Sequence, residues 1–444
     1  MVRRTPGLVA CALAFWSSGV LAAGLMDAYQ AARQNDPSFR AARYEREAGQ
    51  YAIAIGRAGL LPNIGMTGAY SRNRGERTYF VQPRNRTEDL DYREEASAII
   101  LRQPLFNYDS FVRYRQGGVQ AAFSDAVFDR QEAEFAVNLA SAYFDVLFSL
   151  ENLALSDAEI AAYRVDRETS ERRRKGGEGT VTEVAEAESR LQLARAGRAD
   201  AIDRLSVAIR RLESMTGKPM APLWPLRPDF APSAVQSVSL DQWSALAEES
   251  SPEIRARRKS FEFASLEVDR NRAGHYPQLD FVARATRTQG ESLSTIDQRN
   301  VINSAGVQLN IPLFAGGRVD ALTGQAVANR ARAQAELEAA VNEVLIEVRK
   351  QFMAIETGGS KIAAYQKAVD ASVVAVEGTL RGMRSGIRSN VDVLNAERVM
   401  FVARRDLAQA RYEYLLSLLR LRAAAGVLSE KDLQEVASLL LPPE

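Results

Sequence analysis

The sequence predicts a mixed α/β chain made of two tandem copies of one unit, each with two strands and very long helices. Three observations predict it. Proline is absent from Leu105 to Lys218 and again from Leu313 to Leu441, gaps of 114 and 129 residues. An interior proline costs a helix about 3 kcal/mol, so such gaps leave room for helices of unusual length. Ahead of each gap, apolar and polar residues alternate with the period of two that marks a strand. Finally, four blocks recur in the same order in the two halves of the chain.

The blocks define the repeat. Leu25 through Asn35-Asp36-Pro37 aligns with Leu240 through Ser250-Ser251-Pro252, and Ala58-Gly59-Leu60-Leu61-Pro62 with Ala273-Gly274-His275-Tyr276-Pro277, both at an offset of 215. Leu101 to Phe106 matches Leu309 to Phe314 at 208, and Thr182-Glu183-Val184 matches Val391-Asp392-Val393 at 209. Two copies of a unit this long mean tandem duplication, not a solenoid. The predicted organisation is a first repeat over 23–218, a proline-rich linker over 219–239 and a second repeat over 240–444.

Residues 1–22 read as a secretory signal peptide. Arg3 and Arg4 precede an apolar run from Leu8 to Trp16, and Val20-Leu21-Ala22 offers small residues for cleavage. Leu8-Val9-Ala10-Cys11 has the residue types of a lipoprotein signal, but the apolar run continues past Cys11 instead of ending there. With the peptide removed, the single cysteine goes too, and no disulfide is possible.

After a helical pattern come the strands. Ile64, Met66 and Tyr70 alternate with Gly65, Thr67, Ala69 and Ser71, while Ala96 to Gln103 alternates weakly. Twelve of the 24 residues from Arg72 to Glu95 are charged, so a solvated connection is expected there. In the second half Leu279, Phe281, Ala283 and Ala285 alternate with Asp280, Val282, Arg284 and Thr286, and Ala305, Val307, Leu309 and Ile311 with Ser304, Gly306, Gln308 and Asn310. One apolar face per strand suits either a membrane barrel or an ordinary sheet.

The helical part narrows the choice. Phe111 to Lys175 would span roughly 98 Å at 1.5 Å per residue. In the last long helix Val391, Leu394, Phe401, Ala408, Tyr412 and Leu415 form one apolar stripe, and Val393, Met400, Leu407, Tyr414 and Leu418 form another. A helix with two neighbouring seams packs on both sides, like a stave, which favours a tube. If the strands lie in a membrane, four of them cannot close a barrel, since about eight are the minimum. Several chains must then pool their strands; three would give twelve.

Composition excludes several functions. The chain has 57 Lys+Arg against 56 Asp+Glu, so no basic surplus favours nucleic acid. No Walker sequence, HExxH or glycine-rich dinucleotide turn is present. The single histidine, His275, lies at the start of a strand with no expected partner. Catalytic residues, metal ligands and cofactors are therefore not expected.

The two halves share one more feature, a basic turn between long helices. Arg172-Arg173-Arg174-Lys175 precedes Gly176-Gly177-Glu178-Gly179-Thr180, and Arg381 to Arg384 precedes Ser385-Gly386-Ile387-Arg388-Ser389. Cations in a last turn complement the helix dipole and glycine ends the helix. Thr180 with Glu183 reads as a capping box, and Ser389 with Asp392 as nearly one.

These blocks carry a resemblance to the TolC-type outer-membrane channel family over nearly the whole chain. Leu25-Met26-Asp27-Ala28-Tyr29-Gln30-Ala31-Ala32-Arg33, the paired Pro-Leu-Phe blocks and Asn390-Val391-Asp392-Val393-Leu394-Asn395-Ala396 carry it. Ile55 to Pro62, Gly177 to Thr180 and Arg404 to Tyr412 look most like the outer-membrane component of type I (alkaline-protease-type) secretion. The resemblance implies a homotrimer: a twelve-stranded outer-membrane β-barrel, four strands per chain, continued by a long α-helical barrel in the periplasm. It implies an exit duct for unfolded secreted protein, working with a periplasmic adaptor (membrane fusion protein) and an inner-membrane ABC transporter; a channel for drug efflux is the alternative. By matching positions, Gly177 and Gly386 would lie in tips that meet the adaptor, and Asp392 in an acidic ring at a gate. Asn395 stands where the family has a second acidic ring. Glu183 and Arg388 match a closed-state latch between neighbouring hairpins. Thr182 matches a further tie, although Met383 occupies the region of its expected aromatic partner.

Overall fold

The computed structural model describes residues 24–80, 83–232, 239–290 and 298–442. The signal peptide expected at 1–22, and 233–238 of the linker, lie outside the described residues. Nine helices and four strands occur among the described residues, in an order that repeats once: α1 (Leu25–Asn35), α2 (Pro37–Ala58), β1 (Asn63–Tyr79), β2 (Arg86–Phe106), α3 (Tyr108–Lys175) and α4 (Val181–Thr216). The second half follows with α5 (Leu240–Ser250), α6 (Pro252–Arg272), β3 (Gln278–Gly290), β4 (Gln298–Asn310), α7 (Arg318–Arg384) and α8 (Asn390–Ala424), then α9 (Glu430–Ala437).

The helices form four staves. α3 and α7, of 68 and 67 residues, run uninterrupted for about 100 Å at 1.5 Å per residue. The other two staves are composite. Toward the sheet α2 packs on α3 and α6 packs between α3 and α7; beyond the middle α4 packs on α3 and α8 packs between α3 and α7. Gly217 ends α4 with φ +67° beside Asn35, which ends α1 just before α2 begins. Gly426, just past α8, has φ +75° and lies against the backbone of Ser250 and Ser251, just before α6. Only glycine adopts these angles without strain, and no side chain fits where α8 abuts the start of α6.

The main apolar core lies at this middle level. Leu25, Tyr29, Phe39, Tyr143, Phe144 and Leu415 belong to it. The proline-rich linker is strapped onto the core. Trp224 N–H donates to Tyr143 Oη at 2.9 Å, and the same hydroxyl donates to the Trp224 carbonyl at 3.1 Å. Arg227 N–H donates to the Leu439 carbonyl at 3.1 Å and Leu441 N–H to that of Pro225 at 3.0 Å, tying the linker to the C-terminal segment.

The strands form one antiparallel sheet in the order β1-β2-β3-β4. Register puts Ile64, Met66, Ile99, Leu101, Phe281 and Val307 on one face, and Thr67, Arg102, Asp280, Arg284, Gln308 and Ser304 on the other. Met66 is 74% exposed and Leu309 59%, so the apolar face has no cover among the described residues. The outer edges of β1 and β4 are likewise unpaired among the described residues.

The expected connection over Arg72–Glu95 is corrected by the structure. β1 and β2 continue through it as a two-stranded ribbon, paired from Asn63↔Arg102 to Tyr79↔Arg86. Arg72 makes a bidentate bond to Asp91, both contacts 2.8 Å, and Arg74 reaches the same carboxylate at 3.3 Å. Opposite charges across the ladder let a charged segment hold strand geometry in water. The alternation that betrays a half-buried strand is lost there, because neither face is buried.

Gly426→Ala combines a left-handed strain of about 1–3 kcal/mol with a backbone clash. We expect the variant to lose heat-resistant assembly on semi-native gels, whereas Gly118→Ala, in open space on α3, leaves it intact.

Candidate functional site at the helix tips

The basic turns fold alike, residue for residue. α3 carries Arg172, Arg173, Arg174 and Lys175 in its last turn, and Gly177 leaves it at φ +83°. Gly177 N–H donates to the Arg174 carbonyl at 3.1 Å and Glu178 N–H to that of Arg173 at 2.9 Å. On the other hairpin Gly386 has φ +73°; its N–H donates to the Met383 carbonyl at 3.1 Å, and that of Ile387 to Gly382 at 2.9 Å. Both glycines are exposed at the tips, as a left-handed turn with open space around it permits.

The next helices start on matching capping boxes. Glu183 N–H donates to Thr180 Oγ1 and Thr180 N–H to Glu183 Oε2, both at 3.1 Å. Asp392 N–H donates to Ser389 Oγ at 3.2 Å; in return Asp392 Oδ2 accepts from Ser389 N–H at 2.9 Å and from its hydroxyl at 3.0 Å. Ser389 with Asp392 is thus a full box. Those backbone and hydroxyl donors, with the nearby Arg388 charge, hold the Asp392 carboxyl below the usual carboxylate range. It is therefore charged at neutral pH.

The expected site residues are distributed as follows. Arg388 is exposed, with its stem lying across Gly382. No ion pair joins it to Glu183 among the described residues of one chain; Glu183 serves its own cap. Thr182 is exposed on the first turn of α4, and Met383 is half-buried. Asn395 Oδ1 accepts from Arg190 Nη2 of α4 at 3.3 Å, so it ties α8 to the other hairpin. Far from the tips, His275 does have a partner: its Nε2 lies 3.3 Å from Asp320 Oδ1, an exposed contact made because α7 begins beside the strand.

A polar layer just behind the tips was missed by the sequence reading. Asn390, 5% exposed, donates from Nδ2 to Ser170 Oγ at 3.2 Å, and Ser170 is 2% exposed. Asn390 also bonds Asp166. Asp166 Oδ2 on α3 and Glu397 Oε2 on α8 are buried without a hydrogen-bond partner. Burial, then the charge of Asp166, pushes the Glu397 carboxyl up to about 7. Burial also raises Asp166, opposed by its Asn390 bond and by Arg190 and aided by the Glu183 charge. One signal was available: Asn390 and Glu397 are one heptad apart, beside the stripe that runs through Leu394 and Phe401.

Comparison with known proteins follows the same lines. The family described as "Outer membrane efflux protein" matches residues 28–218 and 243–427. The chain is 37% identical over 423 residues to "Alkaline protease secretion protein AprF" of Pseudomonas aeruginosa, covering 94% of this chain and 87% of that one. It is 35% identical to "Proteases secretion protein PrtF" of Dickeya chrysanthemi, covering 98% and 95%. A solved membrane protein from Pseudomonas aeruginosa superposes with a TM-score of 0.77 at 21% identity, covering 90% of this chain and 93% of that one.

Replacing the Ser389 cap by alanine removes a bond worth about 1 kcal/mol to the α8 start. Hydrogen exchange should show faster opening of residues 390–394 in Ser389→Ala, with the α4 start unchanged.

Proposed function

The chain belongs to the outer membrane efflux protein family, and from that premise we propose that it is the outer-membrane exit duct of a type I protein secretion system. It is an outer-membrane protein whose helical part stands in the periplasm. End-to-end similarity to two protease secretion proteins carries the choice of cargo: unfolded protein, handed over by an inner-membrane ABC transporter through a periplasmic adaptor. The family's description as efflux proteins favours a second reading, the outer channel of a tripartite drug efflux pump.

Physical requirements support the assembly. A sheet with one apolar face, set in lipid, cannot leave β1 and β4 edges open, because each unpaired backbone group there costs several kcal/mol. Three copies joined β4 to β1 give twelve strands around a polar interior. The same threefold axis turns the edge staves into seams: α4 carries exposed Leu193 and Val207, and α7 exposed Ile346 and Val374, each suited to a neighbouring copy. The repeats at 23–218 and 240–444, joined by the linker at 219–239, then act as two pseudo-equivalent hairpins around a duct.

At the tips the same axis would gather three charged Asp392 carboxylates into a ring, with Asn395 one turn behind. Such a ring attracts cations and sets the gate's selectivity. Glu183 and Arg388 would pair across the seam between chains, holding the mouth closed. Gly177 and Gly386, at the extremities, are the surfaces that an adaptor would meet. Adaptor contact must favour the open state over the closed one to shift that balance.

The cargo assignment is tested in cells that have a type I protease transporter and adaptor but lack their outer-membrane component. Expression of this chain should restore protease to the medium. Protease that stays inside, together with restored drug resistance, would instead establish the efflux reading. In planar bilayers Asp392→Asn should lower cation preference and Arg388→Ser should raise single-channel conductance. Unchanged values would place the ring and the latch elsewhere.

A further inference from the structure

The apolar face of the sheet changes character abruptly along its length. Nearest the helices its rows are carried by Val307, Ile64, Leu101, Met66 and Ile99. Farther out the same face turns cationic. Arg287 of β3 stands beside Val301, and Arg299 of β4 lies one row beyond, in line with Tyr70 of β1. Past the ends of β3 and β4 the ribbon adds Arg72 opposite Arg93, then Arg74 opposite Asp91. All five arginines are exposed.

The height of this change is set by strand geometry. From Leu309 to Arg299 on β4 is about 33 Å along the strand, or about 25 Å of height at a tilt of about 40°. That is the height of the apolar band on a membrane barrel. Arg299 therefore stands where hydrocarbon gives way to headgroups, level with the exposed ring of Tyr70, as interfacial aromatics are. Arg287 lies two residues deeper, and its long stem can carry the guanidinium up to the same level.

The charge on these rows is one-sided. Five arginines share the face with two carboxylates, Asp91 and Glu95. Asp91 already serves both Arg72 and Arg74. Arg72 and Arg93 oppose each other directly across the ladder, a like-charge pairing that costs stability unless an anion lies between them. Neither Arg287 nor Arg299 makes an ion pair among the described residues. One row farther out the sign reverses, with Glu76 opposite Asp89, so the cations form a band at one level and not a basic ribbon.

We propose that Arg72, Arg74, Arg93, Arg287 and Arg299 dock the phosphate groups of an anionic glycolipid of the outer leaflet, whose acyl chains lie on the apolar rows beneath. The occupant must be apolar below and anionic above within one molecule, which a soluble anion is not. Guanidinium groups suit phosphate because they offer paired, charge-assisted donors. Arg299 lies on one edge strand and Arg72 and Arg74 on the other, so joining β4 to β1 continues the band from copy to copy. The proposal rests on the barrel reading above for the direction of the apolar face, and is independent of the cargo.

Native mass spectrometry of the purified full-length oligomer, incubated with diphosphorylated lipid A or with lipid A stripped of its phosphates, tests this. Wild type should retain the phosphorylated lipid about tenfold better, and Arg93→Gln, Arg287→Gln and Arg299→Gln combined should abolish the difference. Arg284→Gln, on the opposite face, should leave it intact. Heat-resistant assembly on semi-native gels reports folding. If the triple variant does not assemble, Arg287→Gln and Arg299→Gln singly should each lower retention about two- to threefold. Equal retention of the two lipids by wild type, or full retention in the variants, overturns the band. Displacement by inorganic phosphate at constant ionic strength marks a free-phosphate site and overturns lipid docking. A wild-type protein that neither assembles nor inserts into a bilayer overturns the barrel reading, whereas an inserted oligomer indifferent to the phosphates overturns the band alone.

Discussion

The molecule depends on one unmet requirement, the backbone hydrogen bonds at the two edges of its sheet. Among the described residues, β1 and β4 each pair on one side only. In water such an edge finds partners in solvent; in hydrocarbon it does not. Oligomerisation is thus a condition for placing the sheet in a membrane at all. Symmetry then follows from the sheet and extends to parts far from it. On the function proposed above, Asp392, a helix cap within one chain, would become part of a ring because strands some 100 Å away must close.

How much of this was legible depended on whether local pattern or tertiary context decided each feature. The proline gaps left room for the long helices, and the Phe111–Lys175 pattern matches α3, which begins at Tyr108 and ends at Lys175. Capping boxes are local, so Thr180 with Glu183 could be read directly. The charged ribbon of β1 and β2 could not, since strands exposed on both faces carry no alternation and are held by cross-strand pairs such as Arg72 with Asp91. His275 was read as solitary because its partner, Asp320, is 45 residues away. Asp166 and Glu397 were overlooked for the same reason. Each looks like one more surface carboxylate until α3 and α8 are set side by side.

The repeat explains how one chain can make both a membrane sheet and a duct. Duplication supplies two hairpins and two pairs of strands, and the sheet joins them where β2 meets β3. The copies are not equivalent in detail. The β1–β2 hairpin outruns β3 and β4, and Asp36 caps α2 through Phe39 N–H at 2.8 Å whereas Ser251 makes no side-chain cap on α6. Nor do the tips carry the same acid, since Glu183 and Asp392 occupy corresponding turns. Duplication preserved the turn geometry and left the charges free to diverge.

The composite staves have a mechanical consequence. α3 and α7 transmit twist along an unbroken ladder of hydrogen bonds, but no such ladder crosses from α4 to α2 or from α8 to α6. At that level two of the four staves behave as shafts with a joint, whose torsional stiffness comes from side-chain packing around Gly217 and Gly426 and not from a backbone ladder. Torque applied at the tips of α4 and α8 is therefore taken up at the joint, and only α3 and α7 carry it on toward the sheet. In these two staves the tip halves can turn while α2 and α6, beside the sheet, stay still.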